Sequence, residues 1–140
     1  AIYIRGNVGY RCGVHLKEYQ GKKPVIVIGG STGSFLGEYQ AGGLIIVLGN
    51  NKGNKPTVSN FPCTGMHGGK VFLRGDTSNI VFPKQVNTKI ATTEEIKEIT
   101  PYVNRFATLF GYEVEAILKE QFTVITPDSK NPYKQMYVMN

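Results

Sequence analysis

Apolar residues in this chain come in short runs, each closed by a glycine. The runs at 2–5, 25–28, 44–48 and 71–74 end at Gly6, Gly29, Gly49 and Gly75. The middle two, VIVI and LIIVL, are apolar at every position and rich in β-branched residues. A half-exposed hairpin strand would alternate, so a continuous apolar run predicts a parallel strand covered on both faces. Further on the period changes. Thr92 and Glu95 have the spacing of a capping box, and Ile96, Ile99, Val103, Phe106 and Phe110 fall three and four apart. Pro101 lacks an N–H, which predicts a break: a helix over 93–99, a second that starts with Pro101 and stops at Gly111, and a third over 113–119. Residues 50–64 predict an exposed loop, 80–82 a further strand ended by Pro83, and 122–140 an extended tail with prolines at 127 and 132.

The runs belong to a repeat. HLKEYQGKKPVIVIGG, from His15, is echoed by FLGEYQAGGLIIVLGN, from Phe35, at an offset of 20 positions. In that alignment Glu18, Tyr19 and Gln20 match Glu38, Tyr39 and Gln40, and Gly29 matches Gly49. A looser copy follows, in which Gly68 and Gly69 match Gly42 and Gly43, and Gly75 matches Gly49. One strand and one set of glycine corners per repeat predict an all-β fold: a single-stranded right-handed parallel β-helix of about four coils. The expected division is a glycine-repeat body over 1–91 and a small helical cap with a tail over 92–140, the cap closing the open end of the helix. Gly6, Gly29, Gly42, Gly43, Gly49, Gly68, Gly69 and Gly75 are the expected corners, where positive φ or a close neighbouring coil excludes a side chain.

Composition narrows the function classes. Two cysteines in 140 residues, with no secretory signal and no apolar run near the ~20 residues of a membrane span, predict a cytoplasmic protein without membrane attachment. Residues 1–89 carry 11 Lys and Arg against 3 Asp and Glu, whereas residues 90–140 carry 5 against 7. A basic front half suits an acidic partner or an anionic ligand. Nucleic acid is not expected, because no basic run exceeds Lys22-Lys23 and no regular spacing of base-stacking aromatics accompanies it.

Candidate chemistry is thin. The strand running into Gly29-Gly30-Ser31-Thr32-Gly33 imitates a dinucleotide-binding turn, but the third glycine is out of step and the next segment is poor helix material. Cys12 with His15, and Cys63 with His67, have neither spacing of the common zinc patterns. Glu18 and Glu38 are expected to stack as neighbours, satisfying turn amides or a nearby cation, with Tyr19 and Tyr39 as an aromatic ladder beside them. The expectation is therefore no catalytic residue, no cofactor-binding residue and no metal ligand. A small flavin- or nucleotide-binding protein using the Gly29–Gly33 loop is the enzymatic alternative.

GEYQAGGLIIVLG, at 37–49, followed by GMHGGKVFLRG, at 65–75, closely resembles the glycine-repeat domain at the C-terminal end of the glutamate synthase large subunit. The stand-alone archaeal-type version is the nearest likeness, and FGYEVEAILKEQFTVITP and NPYKQMY are similar to its tail. The resemblance implies a non-catalytic structural domain that supports an amidotransferase and a flavin domain. Glutamine hydrolysis, FMN and iron–sulfur clusters would then reside in those partner subunits, none of them bound by this chain. The repeat also resembles the β-helical subunit of formylmethanofuran dehydrogenase, which implies a structural role in that enzyme as the alternative. A homo-oligomeric scaffold is the remaining possibility.

Overall fold

A computed structural model of the protein describes residues 1–128. The expected tail from 129 to 140, NPYKQMY included, lies outside the described residues. The elements in chain order are β1 (Ile2–Ile4), β2 (Val25–Ile28), β3 (Ala41–Val47), β4 (Gly68–Arg74), β5 (Val86–Ile90), α1 (Thr93–Phe110), α2 (Val114–Leu118) and β6 (Phe122–Pro127). All six strands form one sheet in the order β1-β2-β3-β4-β6-β5.

The first four strands are parallel neighbours in chain order, as the repeat requires. The sheet as a whole is mixed, however. After α2 the chain returns as β6, which pairs antiparallel with β4, and β5 pairs antiparallel with β6 on the outside. Two helices pack on one face. This is an α/β architecture, and the expected all-β, single-stranded parallel β-helix with an end cap is wrong. The repeat does not reveal this: VNTKI of β5 is largely exposed and polar, and FTVITP of β6, apolar and buried at its start, lies outside the repeat. Residues 80–82, the expected strand, form none, and Val81 is exposed.

Both faces of the central strands are covered. Val25, Val27, Leu44, Ile46 and Phe72 point into a core shared with Ile99, Val103, Phe106 and Ile117 of the helices. Ile26, Ile28, Ile45, Val47 and Val71 point the other way, onto Leu36, Val58, Cys63 and Met66 of the inter-strand loops. Two-sided burial is why VIVI and LIIVL show no alternation. Each fully buried aliphatic side chain contributes about 1.5–3 kcal/mol of transfer free energy.

α1 is a continuous helix, not two. The capping box at its start is formed: Glu95 N donates to Thr92 Oγ1 at 3.2 Å and Thr92 N donates to Glu95 Oε1 at 2.9 Å. Gly111, at φ 75, closes the other end and donates to the Ala107 carbonyl. Pro101 is accommodated within the helix on its exposed side. The buried stripe Ile99, Val103, Phe106 and Ala107 runs unbroken past it.

Candidate functional site

The layer opposite the helices consists of three inter-strand loops stacked on one another. Val8 bridges Thr32, which bridges Val58, both in parallel. Backbone bonds continue along the stack: Arg11 N donates to Ser34 O at 2.7 Å, Phe35 N to Asn60 O at 2.9 Å, Gly37 N to Cys12 O at 2.8 Å and Cys63 N to Leu36 O at 2.7 Å. Equivalent positions therefore run 11, 35 and 61, then 15, 39 and 65. Residues 50–64 contain no strand element and are exposed over much of their length, as their polar composition predicts, while Thr57, Val58 and Cys63 are buried against the layer.

That register differs from the echo read in the sequence. β2 pairs Val25 with Leu44, one residue off the apparent offset of 20. Before the strands the shift is larger, because Tyr19 and Lys22 close a small turn within residues 17–24 through mutual backbone bonds of 3.1 and 2.9 Å. Glu18 and Glu38 consequently do not stack. Glu38, buried, pairs with Arg11, and Glu18 Oε2 accepts from Gly43 N at 3.3 Å. Tyr39 stacks on His15, with ring centroids 5.3 Å apart, and not on Tyr19. Phe35 stacks on Phe61 at 5.2 Å, with the Arg11 guanidinium 4.6 Å above the Phe35 ring.

The expected glycine corners fall into four groups. Gly43 (φ 79) and Gly69 (φ 78) combine left-handed backbone with close approach: a side chain would begin 2.8 Å from the Pro24 carbonyl at the first, and 2.7 Å from the Gly42 and Gly43 carbonyls at the second. Gly29, Gly42 and Gly68 have ordinary φ but are walled by backbone: the Arg5 carbonyl and the Phe106 ring at Gly29, the Glu18 amide at Gly42, and the Ala41 carbonyl at Gly68. Gly49 and Gly75 have positive φ with only side chains nearby, and Gly6 has neither constraint.

Two positions that the sequence did not single out hold these corners. Gln40 is fully buried, and its Nε2 donates to the carbonyls of Gly42 (3.1 Å), Gly43 (3.4 Å) and Lys70 (3.3 Å), tying the corner of β3 to β4. Its nominal counterpart Gln20 is exposed. Arg74 does the same at the other end of the sheet: Nε donates to the Ile117 carbonyl at 2.9 Å, and Nη1 to the Leu48 carbonyl at 3.0 Å and Asn50 Oδ1 at 3.1 Å. A buried polar residue in a strand-proximal turn is the available signal for the first; the second carries none.

The Gly29–Gly33 loop has its amides spent. Gly29 N donates to Ile4 O, Gly30 N to Gly6 O, Thr32 N to Thr57 O, Gly33 N to Val8 O, and Ser31 N to Asn7 Oδ1. A phosphate cradle needs those donors free at a helix N-terminus. Here the loop leads through turns into β3, with no helix between. Cys63 is buried, and burial pushes its thiol up to about 12; the half-buried Cys12 thiol is raised for the same reason. Both cysteines are free, and among the described residues no three His, Cys, Asp or Glu side chains converge as a metal site. No described helix is long and apolar enough to cross a membrane.

Several bulky residues in the loop layer are held at positive φ: Arg11 (62), Phe35 (63) and Phe61 (59) in one column, His15 (58) and Tyr39 (56) in the next. Such backbone costs of order 1–3 kcal/mol per residue. Gly13 and Gly37 take the same conformation nearby without that cost.

Stacked loops, walled glycines and buried tethers make this a glycine-repeat domain. The GXGXG motif family model matches residues 1–129. The chain belongs to that family, the one formed by the C-terminal domain of the glutamate synthase large subunit. A relative in Methanocaldococcus jannaschii, "Uncharacterized protein MJ1350", is 39% identical over 137 residues, covering 94% of this chain and 52% of its own length. The chain thus spans about half the length of that curated relative.

Proposed function

We propose that this chain is a non-catalytic structural domain or subunit of a glutamate-synthase-type oxidoreductase, which forms glutamate from glutamine and 2-oxoglutarate. Its surfaces hold the amidotransferase and the flavin polypeptides in a fixed relation, and FMN and iron–sulfur clusters belong to those partners. The observation that carries this reading is the family match over residues 1–129, nearly the whole chain. The geometry supports it: the sequence's candidate groups are tied into the scaffold, Glu38 to Arg11, Glu18 to the Gly43 amide, and the Gly29–Gly33 amides to neighbouring loops.

Purification at natural abundance tests the proposal. A chain without tryptophan absorbs only in the ultraviolet, through tyrosine. Visible flavin and iron–sulfur bands co-eluting with it, together with glutamine-dependent glutamate formation, are the expected result. A chain that elutes alone and colourless contradicts it.

A further inference from the structure

Independently of the supporting role proposed above, we infer that the cleft at the carboxyl ends of β3 and β4 binds a free α-amino acid. Its carboxylate rests on the turn over residues 50–53 with Lys52, and its ammonium group meets Glu120 and Asp76.

The cleft, of about 540 Å³, lies where the sheet changes sense. β3 and β4 run parallel and end there at Val47 and Arg74, and β6 enters antiparallel with Phe122 paired to Arg74. In open α/β sheets, ligands bind in crevices at the carboxyl ends of parallel strands, where the strand pattern switches. Gly49 and Gly75 both line the cleft, and side chains of opposite charge lie over them. Lys52 Cδ is 3.3 Å from the point where a side chain at Gly49 would begin, and Glu120 Oε2 is 3.5 Å from the same point at Gly75.

Spare hydrogen-bonding groups line the same space. The amides of Gly49 and Asn50 are spent on the Gly30 and Gly29 carbonyls, but those of Asn51 and Gly53 donate to no described residue. Both residues have positive φ, 58 and 62, and turns of this kind present backbone amides to anions. Asn50 Oδ1 accepts from Arg74 Nη1 at 3.1 Å, which fixes the side-chain amide and leaves Nδ2 buried without an acceptor. An unmade bond at a buried donor is costly, and a ligand carboxylate is the acceptor that this wall lacks. Lys52 is in no ion pair among the described residues. On the acceptor side, Asp76 holds Ser78 N and Oγ at 2.9 and 3.1 Å, and Glu120, 58% exposed, lies 3.7 Å from Arg74 Nη2. Each carboxylate keeps lone pairs to spare.

Charge decides the occupant. Two cations, Lys52 and Arg74, and two carboxylates, Asp76 and Glu120, line the cleft. A simple anion such as inorganic phosphate therefore meets two like charges, and so does a bare cation. Among the described residues no three His, Cys, Asp or Glu side chains converge to hold a metal. A small molecule carrying both charges a few bonds apart satisfies both sets of groups at once. A peptide terminus brings only one of the two.

Calorimetric titration of the full chain with each standard free L-amino acid is the test. At least one should bind saturably at about 1 mM or tighter. Its N-acetyl and amide derivatives, each lacking one charge, should bind at least roughly tenfold more weakly, the loss expected for one charged hydrogen bond. Lys52→Gln and Glu120→Gln should weaken the free amino acid by a similar factor, with the fold checked by Tm. Amide resonances of residues 49–53 and 74–76 in the wild type, which need no variant, should shift on binding. Absence of saturable binding, shifts confined elsewhere, or unchanged affinity in either variant overturns the site. Phosphate or the N-acetyl derivative binding as tightly as the free amino acid makes it a plain anion site and also overturns the proposal. None of these outcomes bears on the glutamate synthase reading.

Discussion

Gly69 and Gly6 look alike in the sequence, each bordering an apolar run, yet they do different things. Gly69 sits at φ 78 with the Gly42 and Gly43 carbonyls where a side chain would begin. Gly69→Ala is expected to destabilise by more than about 2 kcal/mol, through strain and displacement of the Gln40 tether. Gly6→Ala, with ordinary φ and open space around it, should fall within about 0.5 kcal/mol of wild type. Chemical denaturation of the pair checks both. The buried thiol gives another prediction at this scale. With Cys63 pushed up to about 12 and shielded by the loop layer, alkylation near neutral pH should label Cys12 first, and Cys63 only when the chain unfolds. Peptide mass spectrometry reads the order, and early labelling of Cys63 would contradict its placement.

Among the elements, α1 shows how a cap and a proline trade off. The Thr92–Glu95 box starts the helix, and the Thr92 amide, with the adjacent Thr92 hydroxyl and Lys89, holds the Glu95 carboxyl below its usual value. A depressed folded value means that the contribution is full above the unfolded value of about 4.3 and fades as pH falls through the folded one. Thr92→Ala should cost about 1 kcal/mol near neutrality. The acid limb of a stability–pH curve should flatten in Glu95→Gln, which keeps an acceptor but has no proton to gain. Much of this was legible from residues: the capping box, the Gly111 stop and the strand 25–28 all follow from local chemistry. Other features were not. Pro101 signals a break because local rules see a missing N–H, whereas packing of Ile99, Val103 and Phe106 carries the helix through. The 20-residue echo misplaces the partners of Glu18 and Tyr19 because it cannot show that 17–24 turns on itself. A one-residue slip in β2 changes which face each side chain meets, and two-sided apolar burial hides the slip.

For the whole molecule, one sheet separates two unlike layers: two helices on one side, and stacked loops carrying the aromatic columns on the other. The antiparallel return of β6 onto β4, invisible in the repeat, is what makes the sheet mixed. Arg74 ties that end together, its guanidinium reaching α2 and the carbonyl of Leu48. Arg74→Lys, which loses the fork, should lower stability by about 1.5–3 kcal/mol and loosen α2 in hydrogen exchange. Family membership gives the proposed supporting role its setting.

Reconstitution is the most direct test of that role. The amidotransferase and flavin polypeptides from the same organism are assayed for glutamine-dependent glutamate formation with and without this chain, under an artificial electron donor. Activity that rises and saturates as the chain is added, with none from the chain alone, is the predicted result. Full coupled activity from the two partners in its absence would contradict the account.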